Sequence, residues 1–244
     1  MEQVRVKVAL TFAAAIATCM VAAAATFGQR PETPLPPELQ VTFASQPAPI
    51  PVPSEGRIPV SLRLATSIAF EDGSHPPPAT ELRFAFDRQF RLALGDVPTC
   101  PKSGIRSQSR TGEVACPEAK VASGWSRWDV AFPGQEPMQV SGRLTAYKID
   151  SRKLAIHTFL AAPVTADVVS TAELSRAPKG SRYGLRATAV IPKVAGGNGS
   201  LVNMSLRFRK GLFSLACPQR RFQSGLDSRF ADGTRVSVAS LTAC

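Results

Sequence analysis

An all-β, antiparallel domain is the fold class this sequence predicts, and three observations predict it. Apolar residues alternate with polar ones at a period of two. Turn signals punctuate those runs, and beyond Ala25 no segment sustains a helical apolar face. The arrangement expected is a β-sandwich, jelly-roll-like or immunoglobulin-like, with a barrel-like closure as the alternative. A signal peptide precedes it.

Arg5 and Lys7 charge the first residues, and an apolar run follows from Val8 to Ala25, broken only by Thr11, Thr18 and Cys19. Ala22–Ala25 supplies the small residues of an A-x-A cleavage site. Residues 1–25 therefore read as an export signal cut near Ala24 or Ala25, with a retained single-helix anchor as the rival reading. Lipid attachment at Cys19 is set aside, because it would leave "MVAAAA" at the mature N-terminus. Residues 26–53 are proline-rich. Their "PLPP" and "PAPIPVP" favour extended polyproline segments around one strand expected at Leu39–Ser45. Residues 54–244 make up a single β domain.

The strongest strand signals lie in that domain. "RIPVSLRLA" sets Ile58, Val60, Leu62 and Leu64 on one face, and "ELRFAFD" does the same with Leu82, Phe84 and Phe86. "VNMSLRFRK" alternates Val202, Met204, Leu206 and Phe208 against Asn203, Ser205, Arg207 and Arg209. Successive side chains of a strand point to opposite faces, so each run has one face for the core and one for solvent. Weaker strands are expected at Phe90–Leu94, Lys120–Phe132, Met138–Ile149, Lys153–Ala161, Asp167–Leu174, Tyr183–Ile191, Phe222–Phe230 and Thr234–Leu241. Asp232-Gly233 between the last two is a hairpin signal, and "AGGNGS" reads as a glycine loop of the same class.

The chain has 5 cysteines, and all but Cys19 lie beyond the signal. An even set in an exported chain predicts two disulfides, and local pairing favours Cys100–Cys116 and Cys217–Cys244. Closing the first loop stabilises the fold by roughly 3 kcal/mol in the chain-entropy model. The spacings do not fit a zinc site, which wants C-x-x-C pairs or nearby histidines. No cofactor is expected.

With 29 lysines and arginines against 18 acids, the formal net charge is +11 and the pI is near 10.0. The cations are spread over many strands rather than gathered in one block, which reads as a solvated basic surface. Such a surface is attracted to anionic polymers or lipid head groups. Arg207, Arg209, Lys210, Arg220 and Arg221 are the cations to examine first. Nucleic acid is not the expected partner of an exported chain, and Phe208 faces inward by alternation, away from any outer ligand.

Several phrases taken together, "EDGSHPPPATELRFAFDRQF" followed by "VPTC", then "FPGQEP" and "FADGTR…C", resemble a family of uncharacterised exported proteins from soil actinobacteria. The resemblance covers most of the mature chain. It implies export and a β-rich domain, and it carries over no catalytic residue.

Candidate sites are few. "FEDGSHPPPA" holds Glu71, Asp72 and His75, yet Asp72-Gly73-Ser74 is turn chemistry and Pro76–Pro78 stiffen a crossing between strands. His157 alternates with Ala155 and Phe159 on one strand face. Asp129 follows Trp125 and Trp128, whose parity sends one ring inward and the other outward. A carbohydrate-active or other hydrolase on a β scaffold would draw on His75, Asp72, Asp129 or His157, with tryptophans beside Asp129 able to line a sugar site. No nucleophile-elbow motif is present. A carrier of apolar ligands would instead need a cavity lined by the many phenylalanines. The expectation is a secreted or cell-surface module with a non-enzymatic binding or structural role at the envelope.

Overall fold

The computed structural model describes residues 37–105, 112–160 and 166–244. The expected signal segment and the first part of the proline-rich stretch lie outside the described residues. Among the described residues, no helix is long and apolar enough to cross a membrane.

Twelve strands account for most of the domain: β1 Leu39–Ala48, β2 Ile58–Phe70, β3 Ala79–Asp87, β4 Arg91–Leu92, β5 Lys120–Val130, β6 Met138–Lys148, β7 Lys153–Leu160, β8 Ala166–Arg176, β9 Tyr183–Val190, β10 Gly199–Leu215, β11 Arg221–Phe230 and β12 Arg235–Ala243. They form one antiparallel sheet in the order β1-β2-β10-β5-β6-β7-β8-β9-β3-β11-β12, with β4 laid on β10. Every pairing is antiparallel, as the half-buried alternation requires. The all-β expectation holds, and of the arrangements it left open the barrel-like one is realised.

The two ends of the sheet meet without a continuous ladder. Thr242 Oγ1 on β12 donates to the Ser45 carbonyl on β1 at 2.7 Å, and the Ser45 and Ser224 hydroxyls bond across the buried seam. The Val52 amide donates to the Cys244 carbonyl at 2.7 Å. These contacts draw the two edge strands together although no backbone ladder joins them.

Inward residues form one continuous core. Phe90 lies at one end of it, stacked on Phe213 with ring centroids 4.5 Å apart and tilted against Phe86 and Phe222. Around Phe90 the sequence reading is corrected: only Arg91–Leu92 is strand, because the chain here turns inward to fill one end of the barrel. Lys148, itself buried, donates to the carbonyls of Leu94 and Val97 and so fastens that plug. What remains inside is a cavity of about 70 Å³, lined by apolar side chains such as Leu64, Phe84, Trp128, Leu144, Ile156 and Met204.

Both expected disulfides are present, Cys100–Cys116 and Cys217–Cys244, with Cα atoms 5.7 and 6.3 Å apart. Such bridges form and persist in oxidising compartments. The first closes a loop carrying two short helices, α1 Lys102–Ile105 and α2 Gly112–Ala115, which packs on the outer wall around Tyr147 and Ala155. Gly112 is required there, since a Cβ would come within 2.8 Å of the Tyr147 ring. The Asp232-Gly233 hairpin forms as expected, with Gly233 at a positive φ of 90°. "AGGNGS" does not make a hairpin. It joins β9 to β10, and these strands are not neighbours.

Candidate functional site: a cationic outer wall

Strand alternation decides which cations share a face. On β10, Leu206 and Phe208 are buried while Arg207, Arg209 and Lys210 are exposed. On β5, Trp128 is buried and Trp125 is 47% exposed. On β2, Leu62 and Leu64 face the core and Arg63 faces outward. Because β10 lies between β2 and β5, these outward residues form one patch. Arg207 stands directly between Arg63 and Ser123, and Ser205 between Ala65 and Trp125. Asn203 stands between Ser67 and Arg127. Arg143 on β6 lies opposite Trp125.

A groove at the upper part of this wall is lined by Lys120, Arg207, Arg209 and Lys210, together with Ser61 and Ser123. No carboxylate lines it. Glu113 on α2 accepts a hydrogen bond from Lys120 at 2.8 Å and lies 3.6 Å from Arg143. That hydrogen bond and the nearby cations hold the Glu113 carboxyl below its ordinary range. Among the described residues, Arg63, Arg127, Arg207, Arg209 and Lys210 have no carboxylate within ion-pair distance. Arg63 and Arg207 are like charges directly opposite on adjacent strands, a pairing that destabilises a sheet. Arg63 turns its Nε to the Ser205 hydroxyl at 3.3 Å instead.

The other two cations singled out in the sequence fall elsewhere. Arg221 joins Arg88 and Arg182 in a separate depression at the start of β11, and Arg220 is exposed in the turn before it. Phe213 and Phe222, adjacent to these cations in sequence, are core residues.

His75, Asp129 and a residue that sequence reasoning missed, Ser200, come together at the opposite end. Ser200 and Asp129 are direct cross-strand partners on β10 and β5. The loop after β2 folds back over them, placing His75 Nδ1 3.0 Å from Asp129 Oδ2 and Nε2 3.1 Å from Ser200 Oγ. These separations match a serine-histidine-aspartate relay. The surroundings do not. Ser200 has no exposed surface, and its hydroxyl also donates to the Pro76 carbonyl at 2.5 Å. With that proton given to the Pro76 carbonyl, the hydroxyl is not free to donate to the His75 ring. The loop that carries the histidine is also the loop that covers the serine. The network is a latch holding the proline-stiffened crossing to the wall.

Asp72 remains in its turn, where hydrogen bonds from Ser74 hold its carboxyl below the ordinary range. His157, on the outer side of β7, bonds Asp167 at 2.7 Å. Tyr147, beneath the disulfide loop, is fully buried with no partner for its hydroxyl among the described residues, and burial pushes its pKa up to about 12. No cluster of three or more metal-ligating side chains occurs among the described residues.

The chain matches no protein-family model, no curated protein and no solved structure. Its function rests on this geometry alone.

Proposed function

We propose that this protein is a secreted or cell-surface module that binds an anionic polymer of the envelope without transforming it. The observation that carries this reading is the groove of Lys120, Arg207, Arg209 and Lys210, cationic on every charged position of its lining. Of these, Arg207, Arg209 and Lys210 have no carboxylate partner; such cations attract a polyanion, and each neutralised contact releases a counterion, so binding weakens steeply with salt. The expected export signal and the disulfides agree with an extracellular partner.

Purified mature protein should be retained by cell-wall fractions at low salt and released as salt rises. Replacing Arg207 and Arg209 together by alanine should reduce the retained fraction and flatten the salt dependence. Absence of retention at low ionic strength overturns the electrostatic reading.

The carrier reading would rest on the interior cavity. About 70 Å³ is less than half of the roughly 150 Å³ that admits a benzene-sized guest. The wall is therefore the better supported site. The hydrolase reading would rest on the His75 latch, whose serine is closed to substrate.

A further inference from the structure

The patch below the cationic groove carries the one large aromatic of this wall. Trp125 is 47% exposed in a sheet face whose other outward groups are the small side chains of Ala44 and Ala65 and polar or charged residues. It borders a shallow depression whose polar groups come from Thr42, Arg63, Ser67, Asn203 and Ser205, with Ala44 and Ala65 between them. Two of the contacts there already order the polar groups: Arg63 Nε to Ser205 Oγ at 3.3 Å and Asn203 Nδ2 to Ser67 Oγ at 2.9 Å. Core packing does not explain this ring, because Trp128 takes the inward position and satisfies its indole on Ser126 at 2.9 Å. An exposed indole costs hydration free energy unless something apolar covers it.

Building on the polyanion reading above, we propose that the ligand of this wall is an acidic polysaccharide. One sugar ring stacks its apolar face on Trp125, and acid groups on neighbouring units meet Arg63, Arg207 and Arg209. A sugar ring suits this platform because it joins an apolar face to equatorial hydroxyls, and the surrounding hydroxyl, amide and guanidinium groups pair with those hydroxyls. The span from Asn203 to Arg209 is about 20 Å at the rise of an extended strand, room for several sugar units in a row. A linear polyphosphate satisfies the arginines and leaves the indole uncovered. A single-stranded nucleic acid offers bases to the indole but brings no row of equatorial hydroxyls for the depression.

The test compares three probes on the mature chain at low salt: polygalacturonate, inorganic polyphosphate and single-stranded oligothymidylate. Polygalacturonate should bind tightest and shift Trp125 emission to the blue. Trp125→Ala should weaken polygalacturonate by about tenfold or more while leaving polyphosphate affinity within about twofold. Trp125→Phe should recover part of the loss. Arg207→Ala with Arg209→Ala should weaken both polymers. Equal loss for polygalacturonate and polyphosphate in Trp125→Ala, or no loss for either, overturns the stacking proposal and leaves the polyanion reading standing. Oligothymidylate as the tightest ligand overturns it in favour of nucleic acid. Failure of all three probes to bind removes both readings together. Trp125 is 47% exposed, and circular dichroism of each variant checks that it folds.

Discussion

At the scale of single residues, the same chemistry serves opposite ends in two places. Ser200, His75 and Asp129 have the separations of a catalytic relay, yet burial of the hydroxyl makes them a fastening. Ser200→Ala leaves the Pro76 carbonyl and the His75 ring without their shared partner, and should lower the unfolding free energy by about 1–3 kcal/mol. Denaturant unfolding measures this. A fluorophosphonate probe should not label the wild-type protein at Ser200, and labelling there would restore the enzyme reading. Tyr147 shows burial acting on a proton. Its folded pKa, about 12, lies above the ordinary value of 10.0, so the neutral phenol favours folding fully below pH 10, and that contribution is lost as pH rises toward 12. Ultraviolet titration should show one of the 2 tyrosines ionising late, and Tyr147→Phe should remove that late step.

At the scale of elements, the chain uses one strand as a spine and one segment as a plug. β10 is the longest strand, with 17 residues, and it carries both the cationic row outward and a core row inward. Its outer face was legible in "VNMSLRFRK", because alternation alone separates Arg207 and Arg209 from Leu206 and Phe208. The plug was not legible. "FRLAL" reads as a strand by composition, and only packing shows that Phe90 leaves the sheet to meet Phe86, Phe213 and Phe222. Phe90→Ala should cost about 3–5 kcal/mol, the range for emptying a packed aromatic site, as read by thermal or denaturant unfolding. A cost below about 1 kcal/mol would show that this end of the barrel is looser than its geometry.

At the scale of the whole molecule, charge is unevenly placed. The end where β2 begins and β10 finishes carries Arg88, Arg91, Arg182, Arg209, Lys210 and Arg221. The opposite end carries Glu38, Glu71, Asp72, Glu81, Asp129 and Asp232. In the sequence these cations looked dispersed, because neighbours in the barrel come from distant parts of the chain. The topology gathers them. On the proposed function, a field polarised along the barrel would steer an anionic polymer to the cationic end of the wall before any specific contact forms.

By itself the sequence determined the all-β class, the antiparallel alternation, the Asp232-Gly233 hairpin and the local cysteine pairs. All of these depend on residues near one another in the chain or on a period of two. It also determined that Trp125 and Trp128 point in opposite directions, though not which of them faces out. Only the tertiary structure decided what non-neighbouring strands bring together. The order β2-β10-β5 puts Arg63, Arg207 and Trp125 on one wall, and the fold-back after β2 sets His75 on Asp129 and Ser200. The physical reason is register. It is set by long-range pairing among residues that alternation makes interchangeable along the chain. The stretch "FEDGSHPPPA" carried the turn in its letters, but its partners lie on β5 and β10, far along the chain.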